Sequence, residues 1–236
     1  MLIRFERWEP YSMVVYQKGD RYFVRDGKTG SLLYSDTDAA EVIQRAIDSM
    51  PLNGGTIFIK TGRYYLSRAI RITKHVNLVG EGVRSTELVL APGANSRMIE
   101  YCIDPAVAND ISQHMYIAHL MLNGNKNNQT SGSEAIITRA EGCSQVRDWM
   151  LFNVWINIYK GNGVKIIDTH NWLILHSSIE HNNGDGVITN GSDEGIVGFS
   201  LLYNNRNGIS INNTVRSVRI IGNRIAVFSE AAIKIN

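Results

Sequence analysis

The last third of this chain repeats itself about every two dozen residues, and that repeat limits the folds open to it. Leu151, Ile174, Ile196 and Ile220 align at steps of 23, 22 and 24. Ile156, Ile179, Leu201 and Ile225 align at the same steps, as do Val164, Val187, Ile209 and Ile233. Glycine precedes three members of the last track (Gly163, Gly186, Gly208), and Ala232 takes that place in the fourth. A period of roughly 20–50 residues belongs to a solenoid, in which each repeat buries its apolar face only against its neighbours. The segments are short and β-rich, Asn and Gly punctuate them, and helical periodicity is absent. The expected fold is therefore all-β, a parallel β-helix. Partners are then left its flanks, its ends and any protruding loop.

Composition excludes several classes. Among 236 residues, 24 Lys and Arg against 22 Asp and Glu leave a net charge of +2. No basic stripe argues for nucleic acid. No apolar run is long enough to cross a membrane. Residues 1–9 are charged and lack the apolar stretch of a secretion signal, so either the chain is not exported by that route or a leader has been removed. Cys102 and Cys143 set no disulfide framework; they read as two buried free thiols in preference to a pair. Asn-X-Ser/Thr triplets at Asn128, Asn190 and Asn212 carry little weight in an Asn-rich chain.

Residues 13–34 read as two or three strands around a Gly19-Asp20 turn, and residues 1–35 as an N-terminal β-hairpin module. Residues 38–50 form the clearest helix. Asp38 and Glu41 have capping-box spacing, Ala39, Val42, Ile43, Ala46, Ile47 and Met50 share one face, and Pro51 with Gly54-Gly55 ends it. The first turn of a β-helix is open, so this helix is expected to cap residues 36–236. Residues 56–90 read as the first, irregular turns, and residues 115–122 belong to another. The polar stretch 123–133 is too long for a corner and is expected to stand off the stack as the wall of a groove. Residues 232–236 are still on track, which predicts either a longer parent chain or a subunit covering that end.

The ordered set of Asp38 opening a helix, Gly54-Gly55-Thr56 entering a strand, Gly62-Arg63-Tyr64, and Gly80-Glu81-Gly82 closing a strand resembles the N-terminal signature of the pectate-lyase-like superfamily. The resemblance covers about residues 36–82, and the repeats extend it. Asp26-Gly27-Lys28-Thr29-Gly30 also resembles a segment of archaeal members. The resemblance implies a right-handed parallel β-helix, outside the cell or at a cell or virion surface. That superfamily holds polysaccharide lyases, hydrolases, epimerases and phage tailspikes, so fold does not settle function.

Three chemistries can be tested. Hydrolytic relatives carry Asn-Thr-Asp-Gly, then paired Asp, then His-Gly on successive turns. Asn183-Gly184-Asp185-Gly186 resembles the first element, but the next turns hold Asn205-Arg206-Asn207-Gly208 and Ser229-Glu230-Ala231-Ala232. Asp185 thus stacks on Asn207 and reads first as a corner residue satisfying turn backbone. Calcium-dependent relatives need a carboxylate cluster. Asp193-Glu194 with Asp168 is the densest here and reads as a solvated edge, so no metal or cofactor is assigned, with Ca2+ the one weak alternative. Metal-free elimination or epimerisation needs a Tyr, His or Lys base and a partner for the substrate carboxylate.

His170, His176, His181, Tyr203 and Arg206 fall within two adjacent turns, with His181 and Tyr203 in register at 22 positions. His181 and Tyr203 are the candidate acid/base pair, supported by Asp185 and Arg206; the alternative is a stacked aromatic pair closing a corner. Asn182/Asn204 and Asn183/Asn205 are read in the same register as stacked amides. Trp155, Tyr159, Asn182 and Asn204 are the candidate glycan contacts. Trp149, Trp155 and Trp172 differ in parity, so at least one belongs to the core. The leading expectation is a polysaccharide-binding or polysaccharide-processing protein, a lyase or hydrolase on acidic glycans without a complete catalytic set. The alternative is a non-catalytic surface, filament or virion rod.

Overall fold

A computed structural model describes residues 10–104, 114–213 and 215–236. Residues 1–9, part of the expected N-terminal module, and Thr214 of the Asn212 triplet lie outside these. Strands β1 (Met13–Lys18) and β2 (Arg21–Asp26) pair antiparallel around Gly19-Asp20, and β3 (Leu32–Asp36) pairs antiparallel with β2. β1 also pairs, in parallel, with Gly55–Ile59, so the hairpin extends a sheet of the coil. Helix α1 (Ala39–Asp48) starts at Asp38, whose carboxylate accepts the Ala40 N–H at 3.0 Å. Glu41 does not close the capping box; it pairs instead with Arg45 and Arg68 at 2.9 and 2.8 Å. The buried face of α1 joins one cluster with Ile57, Tyr64 and Ile70. Its polar side is fastened by Gln44, which exchanges hydrogen bonds with the Arg71 backbone.

The rest of the chain winds through three rows of parallel strands. The first row runs from Gly55–Ile59 through Met115–Ala118 and Thr169–Leu175 to Val218–Ile221. The second contains Trp155–Asn157 and Ser178–Glu180, the third Asn162–Ile167 and Val187–Asn190. Leu201–Asn212 serves both of these rows as one long strand.

Each row sends one aliphatic or aromatic column inward. The first is Ile57, Leu78, Ile117, Leu151, Ile174, Val197 and Ile220. The second is Tyr64, Leu88, Leu122, Ile156, Ile179, Leu202 and Ile225. The third is Ile70, Ile99, Ile136, Val164, Val187, Ile209 and Ile233. Two tracks expected from the sequence shift by one residue: Val197, not Ile196, and Leu202, not Leu201, occupy the columns. The steps from Leu151 and from Ile156 are then uniformly 23. Only the third column keeps 23, 22 and 24, because the chain drops a residue before Ile209 and regains it before Ile233. Trp149 and Trp172 stack inside the tube, and Gly195 continues their column: a Cβ there would lie 2.0 Å from the Trp172 ring.

The corners are set by left-handed residues recurring in register. One column holds His119, Asn153, His176, Phe199 and Gly222; another Ile158, His181, Asn204 and Val227; a third Asp148, Asn171 and Glu194. Asn, Asp and Gly tolerate this conformation best, and the β-branched Ile158 and Val227 adopt it against their preference.

Two successive coils are longer than the rest: Leu78 and Ile117 pair 39 positions apart, and Ile117 and Leu151 34. In the second of these the excess lies in two loops, and both correct the sequence reading. Residues 124–133 do not stand off the stack. Gly93 donates to the Asn128 carbonyl at 2.8 Å, Gln129 bonds Ala91 and Asn95, and Thr130 donates to Asn95, so the loop lies flat along the flank. The second loop carries Cys143, which is disulfide-bonded to Cys102 with Cα atoms 4.9 Å apart. The two cysteines are therefore not free thiols; stacking brings together residues 41 positions apart, a proximity their spacing does not reveal.

Candidate functional site

The candidate residues gather where the second row turns into the third, at 181–186 and 204–208. His181 and Tyr203 meet edge to face, ring centroids 5.4 Å apart. They are not register partners: Glu180 pairs with Tyr203, and His181 stacks with Asn204, whose Nδ2 lies 2.9 Å from His181 Nδ1. The residue dropped in this coil falls after Asn205 rather than before His181. Glu180 approaches the His181 ring at 3.7 Å, and the His181 side chain is 39% exposed.

On the far side of the same turn Asp185 is buried, with Arg206 Nε and Asn207 Nδ2 each 2.8 Å from its Oδ1. Burial pushes its carboxyl pKa up, but hydrogen bonding, that of Arg206 foremost, together with the Arg206 charge outweighs that and holds it below the ordinary carboxylate range. Asn207 Nδ2 also donates to Glu230 at 3.2 Å, so one amide links two carboxylates. Arg206, half exposed, has its pKa raised chiefly by the Asp185 hydrogen bond.

Two expected glycan contacts are overturned. Tyr159 is 1% exposed and spends its hydroxyl on the Ser96 carbonyl, so no platform of Trp155 and Tyr159 forms. Asn182 is buried in a ladder with Asn205, not Asn204: Asn182 Oδ1 accepts the Tyr159 N–H at 2.9 Å, and Asn182 Nδ2 donates to Asn205 Oδ1 at 3.1 Å. The amides satisfy backbone inside the wall and do not face a ligand. Asn204 is exposed, and Trp155 is partly exposed on the outer face of the second row. The acids Asp168, Asp193 and Glu194 do not converge. Asp168 pairs with Arg139, while Asp193 faces His170 at 3.5 Å and Arg216 at 4.0 Å.

Lys126 was missed. The flat-lying loop carries it to the site, where Nζ donates to the His181 carbonyl at 2.7 Å and to Asn183 Oδ1 at 3.2 Å. Burial, with a smaller push from Lys160, lowers its pKa from the ordinary lysine value. The only sequence signal was the length of the loop. Glu230 was read as a corner position, and its reach back to Asn207 depends on the regained residue.

A sequence model of the family described as Rhamnogalacturonase A/epimerase, pectate lyase-like, matches residues 30–235. Among solved structures, the A-module of mannuronan C-5 epimerase AlgE6 from Azotobacter vinelandii is similar with a TM-score of 0.69 and 20% identity, over 83% of this chain and 54% of that one. A glycosyl hydrolase-like protein of Parabacteroides merdae gives 0.57 at 14% identity, over 79% and 89%. The catalytic domain of a GH87 α-1,3-glucanase, solved with nigerose, gives 0.51 at 16% identity, over 84% and 35%. This chain spans about half the length of the AlgE6 A-module. No curated protein matches the sequence. At these identities the structures share the parallel β-helix and nothing finer.

Proposed function

The chain belongs to the rhamnogalacturonase A/epimerase, pectate lyase-like family, and from that membership we propose that it binds and processes an acidic polysaccharide along the edge formed by residues 181–186 and 204–208. The coil is taken as right-handed, the hand that parallel crossovers adopt, with α1 as the cap of its first turn. The observation that carries the reading is the convergence, on one edge, of a solvent-facing His181–Tyr203 pair with two cations, Lys126 and Arg206. That set suits proton abstraction beside a uronate carboxylate. Lys126 and Arg206 neutralise the carboxylate, and Tyr203 or His181 takes the proton from C5. In elimination the electron pair forms the C4–C5 double bond, the C4–O bond breaks, and the leaving oxygen takes a proton from the other member of the pair. In epimerisation that member returns a proton to the opposite face of C5. Asp185 is enclosed and held ionised, so it orients Arg206 instead of acting as a hydrolytic acid. Asn204 positions the His181 ring.

The test is turnover of polygalacturonate and alginate, followed by the ultraviolet absorbance of an unsaturated uronide and by proton NMR for epimers. Joint substitution His181→Ala and Tyr203→Phe should abolish turnover with the unfolding midpoint unchanged; retained turnover removes the assignment. A second reading is a non-catalytic rod at a cell or virion surface that binds through its end. It is favoured by the exposed apolar side chains Val227 and Phe228.

A further inference from the structure

We propose a second saccharide-binding site on the opposite border of the second row from the processing edge, where the first row turns into it, with Glu180 lying between the two. The corner positions there are left-handed, and Asn or Gly fills such a position at least cost. Asn153 and Gly222 fill two of the five positions, but the chain places His119, His176 and Phe199 in the other three. With Phe152 their rings form a file: His119 to Phe152 at 5.5 Å, Phe152 to His176 at 5.7 Å, and His176 to Phe199 at 5.5 Å with planes 14° apart. Phe199 is 59% exposed and lies over Gly222, where a Cβ would come within 2.8 Å of the ring. A large apolar ring held in water on a left-handed backbone costs free energy twice, and stacking returns only part of it.

Beside Phe199 is a depression of about 370 Å³, lined also by Arg84, Trp155, Ser178 and Glu180. The Arg84 guanidinium sits over the Trp155 ring, 5.0 Å from its centroid. Trp155 lines the hollow with its ring, while its Nε1 is buried without a hydrogen-bond partner among the described residues, as are those of the core residues Trp149 and Trp172. Glu180, its side chain 15% exposed, accepts from Ser178 at 2.5 Å.

An apolar ring face, a carboxylate and a guanidinium in one hollow are the components that receive a pyranose. Its C–H face lies on Phe199, and its hydroxyls meet Glu180 and Arg84. Arg84 and Glu180 offset each other in charge, so the seated unit is a neutral hexose and not a uronate. The site binds without turnover and stands whether or not His181 and Tyr203 catalyse.

The experiment is a 15N–1H titration of the whole chain with cellohexaose, maltohexaose and hexagalacturonate. The Trp155 indole resonance is assigned by its loss in Trp155→Phe. It should shift with at least one neutral hexamer, and Phe199→Ala should weaken that binding about tenfold, roughly 1.4 kcal/mol. Should Phe199→Ala fail to fold, Phe199→Leu keeps an apolar side chain over Gly222, lacks the ring, and carries the same expectation. An indole unmoved by both neutral hexamers, an indole shift that saturates at lower hexagalacturonate than neutral hexamer, or unchanged affinity in the Phe199 variant overturns the proposal.

Discussion

Asp185 is buried, and its hydrogen bonds, that of Arg206 foremost, with the Arg206 charge hold its carboxyl below the usual range against the upward push of burial. An unfolded Asp titrates near about 3.9. The folded value is lower, so the stabilisation is full above about pH 4 and is lost as pH falls through the folded value. Asp185→Asn should therefore destabilise at neutral pH by about 1–3 kcal/mol, the half-exposed Arg206 being partly screened. Urea midpoints at neutral and strongly acidic pH check this: the gap between variant and parent should narrow in acid, and a constant gap would place its origin elsewhere. The stacking of Asp185 on Asn207 was legible in the sequence. The contact of Lys126 with the backbone of His181, 55 positions away, was not, because no local pattern encodes where a loop lies down.

Among the elements, the period was legible and its phase was not. Ile196 and Val197 are adjacent aliphatics, as are Leu201 and Leu202, and either member of each pair fits the spacing. Side-chain alternation admits only one of them to the interior, and pairing with the neighbouring strand decides which. The same one-residue ambiguity moved His181 off Tyr203 and onto Asn204. The Cys102–Cys143 bond belongs to this scale, since it ties one long coil to the second loop of the next. Cys143 also presents its carbonyl to Arg139 at 2.7 Å, and Arg139 pairs with Asp168. Replacing both cysteines with serine should cost about 2–4 kcal/mol. A reductant should bring the parent's urea midpoint down to that of the double variant and leave the variant unmoved. A parent insensitive to reductant under denaturing titration would mean that the bond contributes nothing.

At the scale of the whole molecule, burial is uneven: Ile57, Leu151 and Ile174 are fully enclosed, whereas Ile233 and Ile235 are 45% and 75% exposed. The second functional reading makes this end a contact surface. The 236-residue chain should then self-associate at micromolar concentrations, and Ile233→Lys with Ile235→Lys should return it to monomer. Mass photometry decides; a parent that is monomeric throughout removes the reading. The coil between Ile117 and Leu151 has a different consequence. Its two extra loops enter and leave without displacing Ile117 from Leu151, so the winding does not register what is spliced into its bends. New side chains can be tried at a bend while the columns beneath keep their pitch. Such a chain can exchange one ligand for another and still inherit its stability intact.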